Sequence, residues 1–541
     1  MKASLYFHTI RHLRLAQIVW RIRYKLQRPR PNLQAPPSRR ALTGEWVRPC
    51  EHKQSMFSEN GFTFLNESRT VVTSASWNDP AVEKLWLYNL HYFDDLNAEG
   101  ARDRSEWHMR LIERWIDENP PGYGNGWEPY PSSLRIVNWI KSALGGGELS
   151  LRAVASLAVQ VRFLCERLEF HLLGNHLLAN AKALVFAGLF FEGEESAKWL
   201  KLGLTILRRE LPEQILDDGA HFELSPMYHS IILEDLLDIE NIGHACAAEE
   251  IVKAEMIEKM QDWLAAMCHP DGEISFFNDA AKGIVPSPSE LHGYAGRLKH
   301  TIRKSTHAGV QQLAASGYVR LQNSSAVLLI DAAPVGPSYL PGHAHADTLS
   351  FELSLRVHRL IVNSGTSCYG SGPERQRQRG TAAHNTLVID DQDSSEVWGG
   401  FRVARRAQVQ TPEISETMDG VRIKASHDGY LRLPGRNLHE RNWVLGEGRL
   451  DIEDEITGRF HHAEVRFHLH PNIKVIESNT NRAVLNMTGV GIIEVGIQGG
   501  SMAIEQTTWH PHFGVSLPNQ CLVARLSGSA IKTRIQWGAG V

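Results

Sequence analysis

The 541-residue chain is poor in cysteine, and its six (Cys50, Cys165, Cys246, Cys268, Cys368 and Cys521) are scattered without paired spacing. That excludes a disulfide framework and a cysteine-based zinc ribbon, and leaves reduced, mostly buried thiols. No segment is long and apolar enough to span a bilayer. Strong charge of one sign is missing too: 57 Lys and Arg stand against 61 Asp and Glu, so nothing global favours nucleic acid as a partner. What is present is a 42% hydrophobic content, enough for a sizeable core. The length predicts roughly three to four units of about 150 residues.

Acidic residues are absent from one stretch. Lys2, Arg11, Arg14, Arg21, Arg23, Lys25, Arg28, Arg30, Arg39 and Arg40 all precede the first carboxylate, Glu45. This is not a secretory signal, because Arg21, Arg23 and Lys25 interrupt the apolar run from Leu15 to Leu26 and no small-residue cleavage pattern follows. The expected location is therefore cytoplasmic or peripheral to the inner membrane. In the same run Leu15, Ile18, Val19, Ile22 and Leu26 share one helical face, with basic residues around the other. Such a helix can make a peripheral contact with an anionic membrane, or pack on the protein body with its arginines in water; the sequence leaves both open.

The hydrophobic period changes once. Residues 1–79 read as a basic helix and a connector with a Pro-rich loop at 29–37. Residues 80–310 carry apolar positions three and four apart in segments 106–119, 132–144, 149–170, 178–191, 196–211, 227–239 and 248–268, which predicts antiparallel helical hairpins. From 311 to 541 the pattern shortens to strands, among them 318–321, 326–330, 360–362, 386–389, 464–470 and 522–526, as in an antiparallel sandwich. The linker is expected at 305–316.

The densest group of titratable side chains is His343, His345 and Asp347 in Gly342-His-Ala-His-Ala-Asp347, followed by apolar residues at 349, 351, 353 and 355. A period of two predicts a strand with all three polar groups on one face. Further polar clusters stand at Trp127-Glu128-Pro129-Tyr130 with Arg135, at Asn175-His176 opening a helix, and at Ser225-Pro226-Met227-Tyr228, where Ser225 can cap a helix and put Tyr228 in its first turn. Aromatic faces stack on sugar rings and arginine pairs with carboxylates, so Trp127, Glu128, Tyr130, Arg135 and Arg379 are candidate contacts for an acidic glycan. The residues of the 127–135 cluster could as well be core or capping contacts, and Arg379 part of a solvated arginine loop. His468 and His470 alternate in a strand and read as satisfied or solvent-facing.

Asn175-His176, Tyr228, the Gly-His-Ala-His-Ala-Asp segment, Ile361-Val-Asn-Ser-Gly-Thr366 and Thr381-Ala-Ala-His-Asn-Thr386 occur here in an order that resembles the heparinase II/III-type polysaccharide lyases, including relatives that act on alginate. The resemblance implies an α+β multidomain fold, with an incomplete (α/α) toroid followed by an antiparallel β-sandwich, and β-elimination from a uronic-acid-containing polysaccharide. That chemistry removes the C5 proton of the sugar, so donors must neutralise the adjacent carboxylate and hold the developing enolate. By resemblance Asn175 does so, with His176 and His343 beside it as donors or base, Tyr228 as acid or as acid and base together, and Tyr369 as a second tyrosine. Relatives often hold a structural zinc through residues matching His345, Asn363 and His384. Position 363 is an Asp in the family pattern and an Asn here, which weakens the site. Two other classes stay open: a metal-assisted glycan hydrolase, and a non-catalytic glycan-binding or assembly factor of an exopolysaccharide pathway. Oligomeric state is not legible.

Overall fold

The computed structural model describes residues 2–301 and 308–538. Helices dominate as far as residue 297 and strands thereafter. The main helices are Lys84–Tyr92, Ser105–Glu118, Pro129–Leu144, Leu151–Cys165, Gly174–Phe190, Glu194–Gln214, Pro226–Ala245, Ala254–Ala266 and Pro288–Arg297. Their ends follow local chemistry: Ser150, Ser225 and Ser287 accept backbone N–H bonds at helix starts, and Pro226 and Pro288 fill first-turn positions that need no donor. Gly174–Phe190 is the central helix, apolar on nearly every side and buried almost throughout.

Beyond residue 308 the strands form three main antiparallel sheets of five, eight and four strands that share one core, beside a two-stranded ribbon of Val397–Trp398 and Arg402–Val403. The first is a simple meander of Gly309–Leu313, Tyr318–Gln322, Ala326–Asp331, Phe351–Leu355 and His358–Ile361. Ala326–Asp331 and Phe351–Leu355 are buried at every position, so they show no solvent alternation. An eight-stranded sheet alternates cleanly, with Trp443, Leu445, Leu450 and Ile452 inward and Glu440, Asp451 and Glu453 outward. From it Arg441, paired with Asp454, reaches the carbonyls of Leu349 (2.8 Å) and Asn385 (2.7 Å) and pins two loops near the site. Helices and first sheet are joined by buried polar bonds: Tyr318 donates to the Leu224 carbonyl (2.7 Å), Arg320 to those of Ala266 and Cys268, and His269 pairs with Glu352.

Several expectations change. The basic segment holds two helices, Lys2–Ile10 and Leu15–Leu26, and the connector after them contains a three-stranded sheet of Met56–Ser58, Gly61–Phe64 and Glu67–Thr70. Residues 305–307 of the expected linker lie outside the described residues, and the strand Gly309–Leu313 occupies much of the rest. No strand carries His343, His345 and Asp347: they sit in a loop, and Leu349, with φ of 58°, turns the chain before the strand begins at Phe351.

Candidate active site

Three short loops bring the polar residues together, and each passes through a left-handed residue just before its functional group. Leu173 (φ 67°) precedes the Gly174–Phe190 helix with Asn175 and His176 in its first turn. Leu224 (φ 58°) precedes Ser225, whose hydroxyl caps the helix bearing Tyr228. Asn278 (φ 57°) precedes Asp279. Such conformations cost on the order of 1–3 kcal/mol each, and persist where surrounding bonds over-determine them. Gly174 itself has φ of 57°, and a Cβ there would also collide with Leu340 and the Glu223 carboxylate.

Asp279 is the centre of the arrangement and is fully buried. Its Oδ2 accepts from His343 Nδ1 (2.9 Å) and Arg375 Nη2 (2.7 Å), and its Oδ1 from His345 Nε2 (2.8 Å), Thr366 (3.3 Å) and Arg375 Nη1. Its backbone carbonyl takes the Ser225 hydroxyl and its N–H bonds to the His343 carbonyl. Burial favours the neutral acid, but Arg375 and the two histidines outweigh it and hold Asp279 well below the ordinary carboxylate range. The ionised carboxylate accepts a ring N–H from each histidine, which in the neutral rings fixes the tautomers with the lone pair at His343 Nε2 and His345 Nδ1.

From His343 a chain of contacts crosses the site. Its ring stacks on Tyr228, centroids 3.7 Å apart, and the Tyr228 hydroxyl lies 2.9 Å from that of Tyr369. His343 Nε2 is 3.5 Å from Glu223 Oε2, and Glu223 Oε1 accepts the Asn175 N–H (3.4 Å). The Asn175 side-chain amide has no partner among the described residues. His176 bonds through Nδ1 to Glu169 (3.1 Å) and lies against Tyr130, ring centroids 4.5 Å apart. Burial lowers the affinity of His176 for a proton, but the charge and hydrogen bond of Glu169 more than reverse this and raise its pKa above the ordinary histidine value. Burial, with Tyr369 next, pushes the Tyr228 hydroxyl well above the usual tyrosine range, so it carries its proton at neutral pH. A cavity of about 180 Å³ opens beside Tyr130, Tyr228 and Tyr369 and runs inward to Lys141 and Lys182.

Asn175, His176, Tyr228, His343, Tyr369 and Tyr130 thus converge. Three predicted substrate contacts do not join them. Trp127 is buried among Trp115 and Phe163 and donates to the Asn119 carbonyl. Arg135 is fully buried, bonded to Gln160, His91 and Ser132 with its guanidinium over Trp115. Arg379 is spent on the carbonyls of Ala344, Gly399 and Arg402. None of the three has surface left for a ligand. Glu128 is half-buried and tied to Lys84 and Tyr88. Asp279, Glu223, Glu169 and Arg375's role as the Asp279 counter-ion escape the sequence reading, because Asp279 lies in an aperiodic run with no motif to mark it.

The residues matching the family's zinc ligands fit a metal only in part. His345 Nδ1 and His384 Nε2 are 3.3 Å apart, a separation that a tetrahedral zinc with Zn–N of about 2.0–2.1 Å would also give. Burial lowers both, His345 to about 4 and His384 to about 3, so both are neutral. Asn363, however, is committed elsewhere: its Oδ1 accepts from the backbone N–H and side-chain amide of Asn385, both at 3.2 Å, and its Nδ2 faces Ser350. Among the described residues no group of three His, Cys, Asp or Glu could hold an ion. Two imidazoles without a third protein ligand do not make a structural zinc centre.

A heparinase II/III N-terminus model matches residues 147–288, and a heparinase II/III-like C-terminal model matches 306–538. The chain belongs to the heparinase II/III family. Family members similar to it include a heparin-sulfate lyase of Bacteroides stercoris, 27% identical over 245 residues, which are 41% of this chain and 36% of that one. The chain thus spans about a third of that relative in alignment. It is also similar to the FtsZ-localized protein C of Caulobacter vibrioides, 26% identical over 437 residues, 73% of this chain and 71% of that one. The solved structure of a heparinase III superposes with a TM-score of 0.67 at 17% identity, covering 88% of this chain and 80% of that one, so the heparinase fold is shared.

Two predictions follow from this geometry. Asp279→Asn leaves the buried Arg375 guanidinium uncompensated and is expected to cost about 3–5 kcal/mol in denaturant unfolding; a loss below about 1 kcal/mol would mean that the carboxylate is not the anchor. Wild-type protein is expected to retain well under one zinc per chain in elemental analysis, and Asn363→Asp to raise that content. Stoichiometric zinc in the wild type would overturn the ligand assignment.

Proposed function

We propose that this heparinase II/III family chain is a polysaccharide lyase that cleaves a uronic-acid-containing acidic glycan by β-elimination, with its helices as an incomplete (α/α) toroid over 80–310 and its sheets as an antiparallel sandwich over 311–541. The observation that carries the reading is the stack of Tyr228 on His343, itself fixed by Asp279, with the paired hydroxyls of Tyr228 and Tyr369 on one side and His176, bonded to Glu169, and the free amide of Asn175 on the other.

Each group has a task that its environment suits. Asn175 and His176 donate to the sugar carboxylate, lowering the cost of the enolate that forms when C5 loses its proton. His343 in its neutral form, with Nδ1–H donated to Asp279, has the Nε2 lone pair available to take the C5 proton. Tyr228, kept protonated by burial, donates to the departing O4, and Tyr369 is within reach to resupply it. Tyr130 supplies an aromatic face beside His176. The hydrolase reading lacks a third metal ligand among the described residues. One observation favours a binding factor that has kept the site without turnover: the Caulobacter relative is named for localisation with FtsZ rather than for catalysis.

A panel of uronate polymers followed by ultraviolet absorbance of the new C4–C5 double bond tests the reading. Tyr228→Phe is expected to reduce the rate by on the order of 10²-fold or more without changing the fold. New reducing ends without absorbance would replace elimination by hydrolysis, and binding without either product would support the non-catalytic reading.

The pH profile carries a separate signature. His176 must be charged, so activity is lost as pH rises through its raised pKa. Glu169→Gln removes the cause of that elevation and is expected to shift the alkaline limb of kcat/KM to lower pH. An unmoved limb would remove His176 from the carboxylate-neutralising role.

A further inference from the structure

The helix Leu15–Leu26 is mounted the reverse of an ordinary surface helix. Its inner face is polar and aromatic: Gln17 is buried and donates to the Tyr339 carbonyl (3.4 Å), Trp20 lies against Phe170 (4.7 Å between ring centroids), and Tyr24 against His171 (4.3 Å). Arg14, just before it, pairs with Glu213 and stacks over Tyr339. These contacts fix its rotation, and the aliphatic face therefore points outward. Leu15 is 76% exposed, Val19 54%, Ile22 57% and Leu26 75%. The preceding helix Lys2–Ile10 behaves likewise, with Tyr6 set against Trp398 while Phe7 (65%) and Ile10 (50%) face out. Burying aliphatic side chains is favourable, so a contiguous stripe left in water calls for a cover.

We propose that this stripe docks on an anionic lipid surface, the two helices lying in the plane of the headgroups. Charge selects the occupant. The helical repeat sets Arg23 on one side of the Leu15–Val19–Ile22–Leu26 stripe and Lys25 on the other, both exposed, with Arg21 next to Lys25 around the helix. No acidic residue occurs before Glu45. Apolar side chains flanked by long cations fit an interface where aliphatic groups enter the acyl boundary and the cations remain among the phosphates. A protein groove would have to take the same cations close to the charge-poor centre that such interfaces favour. No helix among the described residues is long and apolar enough to cross a membrane, so the contact is a surface one.

Vesicle flotation of the full chain tests it. Wild-type protein is expected to float with phosphatidylcholine vesicles containing one-third phosphatidylglycerol, not with phosphatidylcholine alone, and to be released as salt rises well above about 0.1 M. The double variant Val19→Glu, Ile22→Glu and the double variant Arg23→Glu, Lys25→Glu should each lower vesicle binding about tenfold or more. Met418→Glu, at a fully exposed apolar position in the strand region, should leave it unchanged. Equal binding to neutral vesicles, or binding that survives both double variants, would overturn the proposal. So would a dimer, seen by sedimentation without lipid, that Val19→Glu, Ile22→Glu abolishes, because the stripe would then belong to a second copy.

Discussion

The Asp279 carboxylate holds the site together. Removing one charged carboxylate from water costs several kcal/mol, and the chain recovers that only by surrounding it with a bidentate arginine, two imidazoles and a threonine hydroxyl. Those donors come from positions 343, 345, 366 and 375, and the residue's own backbone binds Ser225 and His343. The orientation of His343, the cap of the Tyr228 helix and the placing of the loop bearing Tyr369 therefore answer to a single ion pair.

That hub explains how one loop can serve two directions. His343 and His345 bond opposite oxygens of the same carboxylate, so one ring is left facing Tyr228 and the other facing His384. A regular strand would have put both rings on one face. The irregular backbone from Gly342 to Leu349 gives that regularity up, and its N–H and C=O groups are taken instead by Asn278, Arg379 and Asp331.

Much of this was legible in the sequence. The single change of hydrophobic period separated helices from strands because buried helices and sheets carry different repeats, and most helix limits were right to within a few residues. Asn175, His176, Tyr228 and His343 stand out because polar residues crowd helix starts and turns there, whereas Tyr369 is marked by the family resemblance alone. Trp127, Arg135 and Arg379 misled because an arginine or tryptophan looks the same in a sequence whether it meets a ligand or caps interior carbonyls; only tertiary packing decides. Asp279 was invisible for the opposite reason, a lone acid after Phe276-Phe277-Asn278 whose partners lie 64 to 96 residues away. The sequence of Leu15–Leu26 is amphipathic, but which face meets the body depends on Tyr339, Phe170 and His171, which no local pattern marks.

The separation of those partners along the chain governs when the site can exist during synthesis. Tyr228 and Asn175 leave the ribosome well before His343 and Arg375, and loop closures of this length are slow to form and contribute nothing until the last partner arrives. A nascent or truncated chain ending before residue 343 has the tyrosine and the amide but neither the imidazole against Tyr228 nor the counter-ion of Asp279. The buried carboxylate thus keeps the site from forming until the chain has extended past Arg375, which makes its assembly a late event in synthesis rather than one that follows the helices as they emerge.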